Sequence, residues 1–158
     1  MDVQFKDFLM SVPTKEQGFV LEMQELFSSY GCLCDISTTK QGYLVSYFKM
    51  NGKKKTTVAN YVFRKTGVKI RIYASNIQKY QEVLNLLPDK VKSEIMKSGD
   101  CKRLYDATAC NSNCKMGFSF VMDGIQYKKC RNMAFMPTLC DENDDYIRII
   151  VENELKLM

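Results

Sequence analysis

The chain contains no histidine. Ser-His-Asp and Cys-His catalytic arrangements are therefore excluded, and so is any histidine-ligated metal, because each needs an imidazole to carry a proton or donate a lone pair. Neither Gly-x-Gly-x-x-Gly nor a phosphate-loop pattern occurs, so no glycine-rich turn for nucleotide phosphates is signalled. The longest apolar runs, such as Gly18-Phe19-Val20-Leu21, are short against the ~20 residues needed to span a bilayer. Low-complexity tracts, internal repeats and linkers rich in Gly, Pro or Ser are also missing. The acids sit mainly at expected helix starts, where the helix dipole accounts for them. Nothing marks a general acid or base, so the sequence points away from an enzyme.

What is present is an ordinary globular composition. Of 158 residues, 46% are hydrophobic and 26% charged, enough for one domain with a normal core and no staples. The expectation is a single domain over 1–158, with a helix-sheet-helices core in 1–99 and a cysteine-rich hairpin and C-terminal helix in 100–158. The opening Met1-Asp2-Val3-Gln4-Phe5-Lys6-Asp7 places acids where a secretory signal carries bases. A cytoplasmic protein without a membrane partner is expected, its seven cysteines serving as thiols or metal ligands rather than disulfides. The formal charge of +5 is unevenly spread: residues 1–35 sum to −4, residues 36–81 to +10 with no acid at all, and residues 82–158 to −1. One region carries the positive field.

Thr14 with Gln17 three residues on, after Pro13, reads as a capping box. Phe19, Val20, Met23, Leu26 and Phe27 then form a helical stripe, which Tyr30-Gly31 ends. From Cys32 to Tyr73 the period changes to two, predicting strands over 32–37, 42–50, 54–63 and 68–73 with Asn51-Gly52 as a hairpin turn. Ser75 with Gln78 predicts a second capped helix, and Pro88 opens a third that Gly99 closes. Their buried stripes are Tyr80, Val83, Leu84 and Leu87, then Val91, Ile95 and Met96. Phe118, Phe120 and Met122, followed by Asp123-Gly124, Ile125 and Tyr127, predict another hairpin, and a final helix over 144–156 docks Ile147, Ile150 and Val151. The expected class is α+β: an antiparallel sheet of about four to six strands with helices packed on one face.

Cys101, Cys110, Cys114 and Cys130 follow a C-x8-C-x3-C-x15-C spacing, with Cys140 beyond them. Zinc asks for four soft or borderline ligands in a tetrahedron, so these four are the candidate metal ligands and zinc is the one cofactor suggested. Basic neighbours Lys102-Arg103, Lys115, Lys129 and Arg131 are expected to favour thiolates, which serves a metal and a Cys110-Cys114 redox pair equally. The plainer alternative is that the cysteines are small buried side chains. Cys32 and Cys34, two apart in a strand, are expected in the core.

The acid-free strands offer Lys53, Lys55, Arg64, Lys69 and Arg71 as candidate anion-binding or nucleic-acid-binding residues. Lysines and arginines neutralise phosphates, and the interleaved Tyr43, Tyr47, Tyr61 and Tyr73 offer faces for bases. The plainer reading is a solvated sheet face with basic loops, since no nucleic-acid motif accompanies the charge.

Through Phe63-Arg64-Lys65-Thr66-Gly67-Val68-Lys69-Ile70-Arg71, Leu87-Pro88-Asp89-Lys90, Cys101-Lys102-Arg103-Leu104, Cys110-Asn111, Cys114-Lys115-Met116-Gly117 and Tyr127-Lys128-Lys129-Cys130-Arg131, the chain resembles a family of uncharacterised small proteins from gut Firmicutes. The likeness runs over nearly its whole length, and its specific part is the Cys-Asn-x-x-Cys stretch with the Lys-Cys-Arg partner. It implies a bacterial protein and brings no activity with it. Residues 14–97 are also similar in element order to the YdhG-like proteins, some of which are linked to iron handling. The reading at this point is a non-catalytic binding or interaction module with a zinc site in its C-terminal third and a nucleic-acid or protein partner. Its alternatives are anionic-ligand or nucleic-acid binding through the basic sheet and a thiol redox protein.

Overall fold

Alternating apolar residues between Leu33 and Ile72 build a four-stranded antiparallel sheet in a computed structural model of the chain, which describes residues 2–158. Strands β1 (Leu33–Thr39), β2 (Gly42–Asn51), β3 (Lys54–Arg64) and β4 (Gly67–Ile72) lie side by side in sequence order. They fall within two residues of the expected ranges, and the alternation is clean in β4, where Val68, Ile70 and Ile72 are buried while Lys69 and Arg71 are half-exposed. Asn51 pairs with Lys54, so Gly52-Lys53 forms the turn rather than Asn51-Gly52. A bulge at Val58 shifts the register between Tyr47 and Phe48.

The face carrying Tyr43, Tyr47, Tyr61 and Phe63 meets α1 (Val3–Ser11) and α2 (Thr14–Ser29). Phe27 stacks on Tyr47 with ring centroids 4.0 Å apart, and Phe8 packs on Tyr61 at 5.4 Å and edge-on against Tyr43 and Phe63. Truncating such a buried ring to alanine costs about 3–5 kcal/mol. Helix α1 was not expected from the sequence, because only Phe5 and Phe8 of its nine residues are buried, too few to show a period. Thr14 does not cap α2. Pro13 holds that position, and Gln17 Nε2 donates to the Val12 carbonyl at 3.0 Å instead.

The helix expected after Ser75 is replaced by two 3-10 segments, Ile77–Lys79 and Gln81–Leu86. Side-chain amides of these segments are tied to the second hairpin. Gln78 donates to Ser119, while Gln81 and Asn85 accept from the backbone N–H groups of Val121 and Asp123 at 2.8 Å each. After α3 (Asp89–Lys97) and the single turn α4 (Lys102–Tyr105), strands β5 (Gly117–Met122) and β6 (Ile125–Cys130) form a separate two-stranded sheet. The described residues form six strands, divided four and two. Residues 135–139 run antiparallel beside β4, through Ile70 N–H to Pro137 O, Ile72 N–H to Phe135 O and Leu139 N–H to Val68 O. That segment closes the β4 edge. Helix α5 (Asp141–Leu157) starts three residues earlier than expected, buries Ile147, Ile150 and Val151 as expected, and touches α2, β3 and β4. Among the described residues no helix is long and apolar enough to cross a membrane.

Candidate functional site

Cys101 and Cys130 are brought together by backbone. Residues 99–101 lie along β6, with Cys101 N–H donating to Lys128 O at 3.0 Å and Cys130 N–H to Gly99 O at 2.9 Å. Gly117 pairs with Cys130 in the hairpin, and a β-carbon on it would collide with Cys101 Sγ. Only glycine at 117 leaves room for that thiol.

Cys110 and Cys114 come from the loop between α4 and β5. Thr108 starts it by donating N–H and Oγ1 to Asp106 Oδ1 at 2.9 and 2.7 Å, which holds the Asp106 carboxyl below its usual range. Cys110 takes a left-handed φ of +61°, a conformation that disfavours any residue with a β-carbon. Asn111 then accepts from Asn113 N–H through Oδ1 and from Cys114 N–H through its carbonyl. Arg103 ties the loop to α4 by donating Nη1 to the carbonyls of Asn111 at 3.2 Å and Cys114 at 3.0 Å. One charged donor shared by two carbonyls, the Cys114 one part-buried and the Asn111 one exposed, clamps the loop locally.

All four expected ligands, Cys101, Cys110, Cys114 and Cys130, line one cleft of about 780 Å³, with Tyr105 and Met133 also on its wall. Cys110 is exposed, the other three are half-buried, and all seven cysteines of the chain are free thiols. Among the described residues no three cysteines or carboxylates converge tightly enough to hold a metal ion. The basic neighbours are largely committed elsewhere. Lys129 is buried, its ammonium bonded to the carbonyls of Met96 and Ser98 and to Asp100 at 2.7 Å. The Arg131 guanidinium lies over the Phe118 ring. Sequence reading found the four thiols and named Arg103 only as a basic neighbour favouring thiolates; its clamp on the loop, and Met133 on the wall, depend on contacts between separate segments.

Cys32 and Cys34 depart from expectation: Cys32 is half-buried and Cys34 is exposed. β1 is an edge strand, so alternation along it does not bury one face. Partial desolvation pushes both thiols up from their ordinary value.

The structure splits the basic candidates. Arg64, Lys69 and Arg71 gather at the sheet end where the β1–β2 and β3–β4 turns lie. Lys53 in the β2–β3 turn and Lys55 at the start of β3 lie at the opposite end, roughly 30 Å along β3. Lys55 Nζ sits 3.9 Å from the centroid of the Phe48 ring. The tyrosine faces are a correction in part: Tyr47 and Tyr61 are buried under the helices, away from Lys69 and Arg71, whereas half-buried Tyr43 packs on Phe8 and also borders the hollow lined by Arg64 and Arg71. Register explains this, since Tyr61 pairs with Ile70 and Asn60 with Arg71. Lys40 and Gln41, which the sequence reading passed over, border the same sheet end. Compared with known protein families, with curated proteins and with solved structures, the chain matches none.

Proposed function

We propose that the chain is a non-catalytic binding module whose C-terminal third closes on a zinc ion held by Cys101, Cys110, Cys114 and Cys130. The observation that carries the reading is the lining of one cleft by these four thiols, drawn from three separate stretches of chain. Cys101 and Cys130 form a half set by backbone pairing, and Cys110 and Cys114 form a half carried by one clamped loop. Four sulfurs about 2.3 Å from a zinc ion stand roughly 3.8 Å from one another. Among the described residues no three of these thiols converge that closely, so zinc binding draws them together and couples to the ordering of this third. Four thiolates complete a tetrahedron and leave no position for a substrate, which makes the role structural.

Elemental analysis of protein purified without chelator tests this. About one zinc per chain is expected, falling to none when Cys110 and Cys114 are both changed to serine. Metal-free protein that is fully folded overturns it. If that protein also forms a Cys110-Cys114 disulfide under mild oxidant, the redox alternative takes its place.

A further inference from the structure

We infer that the sheet end formed by the β1–β2 and β3–β4 turns is a second binding site, for a small ligand bearing a phosphate group. The two turns are built alike. Thr39-Lys40-Gln41-Gly42 and Arg64-Lys65-Thr66-Gly67 each close a two-residue loop, with Thr39 paired to Gly42 and Arg64 to Gly67. Gly42 and Gly67 take φ values of +136° and +119°, a region reserved for glycine, so each tip has a fixed shape and presents a lysine at the same position. Between and beside the tips lie two adjoining hollows of about 350 and 430 Å³. Gln41 and Arg64 form their common wall. Lys40 and Arg71 line the first, Lys65 and Lys69 the second.

Five cations thus surround a space to which, among the described residues, no carboxylate contributes. None of the five forms an ion pair among those residues. Lys69 Nζ donates to Thr138 Oγ1 at 3.0 Å and Arg64 Nη1 to the Phe63 carbonyl at 3.1 Å, both neutral acceptors. Arg71 Nε is buried with no acceptor at all. Arg71 lines the first hollow with no carboxylate paired to its guanidinium among the described residues, so a phosphate entering there meets an uncompensated cation. Leu44 and Val62 give the first hollow an apolar floor, so it suits a phosphate with an organic part better than a bare ion. Its volume lies within the usual range for small-ligand sites. Independence from the zinc reading is complete, because no residue is shared between the two sites.

Amide chemical shifts recorded while adenosine monophosphate, inorganic pyrophosphate or a thymidine decamer is titrated in about 20 mM salt test the site. Shifts confined to residues 39–44 and 62–71, saturating and weakening as salt rises, are expected. K40Q/K65Q, which alters only exposed turn residues, should weaken binding about tenfold, while K53Q/K55Q at the other end of the sheet leaves it unchanged. Adenosine monophosphate binding as tightly as the decamer identifies a free phosphate ester as the ligand. A decamer that binds far more tightly identifies a nucleic-acid backbone. No shift with any probe, or equal weakening by K53Q/K55Q, overturns the assignment.

Discussion

The sulfur of Cys101 occupies the space that a β-carbon on Gly117 would need, and Leu104 Cγ stands 3.2 Å from the same point. The substitution Gly117→Ala therefore moves either the thiol or the β5 backbone. A loss of about 1–3 kcal/mol in urea unfolding is expected, as for other overpacked sites, together with loss of bound zinc. Gly124→Ala, in the open turn of the same hairpin, has nothing within 4 Å and retains zinc. Retention of zinc by both variants would separate Gly117 from the site.

Arg103 holds the cysteine loop by two bonds to its carbonyls. Arg103→Gln should speed amide exchange over residues 109–115 and zinc release to a chelator, with global stability changed by no more than about 1 kcal/mol. Unchanged exchange in that segment would show that the loop is ordered by something else.

Glu154 is a buried carboxylate with all its needs met. It accepts from Asn76 N–H at 2.7 Å, Asn76 Nδ2 at 3.1 Å and Tyr80 Oη at 2.6 Å. Burial, followed by Glu154 itself, pushes the Tyr80 hydroxyl up. Glu154→Ala strands three donors and should cost about 3 kcal/mol or more, whereas Glu154→Gln keeps one acceptor oxygen and should cost less than half as much. Equal losses in urea unfolding would remove the hydrogen bonds as the cause.

Asp144 and Glu16 present the opposite case. Glu16 is 1% exposed with neither carboxylate oxygen hydrogen-bonded, its counter-charge being Lys15 Nζ at 3.4 Å, and Asp144 Oδ1 is buried and unbonded. Burial first, then Glu16 and Asp141, push the Asp144 carboxyl up to about 6, Glu22 adding to this and Arg148 opposing it. The folded state holds this proton more tightly than the unfolded chain does. Its contribution to stability is therefore complete below about pH 4 and is lost as pH rises through about 6. Asp144→Asn should be more stable than the parent at pH 7.5, with the advantage gone near pH 4. An advantage equal at both pH values would contradict the linkage.

The sheet was legible because its strands alternate, and the C-terminal hairpin because Asp123-Gly124 divides two alternating runs. The 3-10 segments were not, since the capping pattern at Ser75 and Gln78 is local while the bond from Gln78 to Ser119 is long-range. The tyrosines show a subtler limit. Alternation put Val68, Ile70 and Ile72 on one face of β4, but only the cross-strand register, Tyr61 against Ile70, says that Tyr61 shares it. At the cysteine cleft, spacing nominated the four thiols. The approach of Cys101 to Cys130 depends on the Asp100–Lys129 bridge, which pairs residues 29 positions apart and leaves no local pattern.

Zinc-edge X-ray absorption on protein purified without chelator bears most directly on the cysteine site. A single shell of about four sulfurs near 2.3 Å is expected, changed in number by Cys101→Ser or Cys130→Ser and unchanged by Cys34→Ser or Cys140→Ser. A shell dominated by oxygen, or folded protein with no zinc to measure, would contradict it.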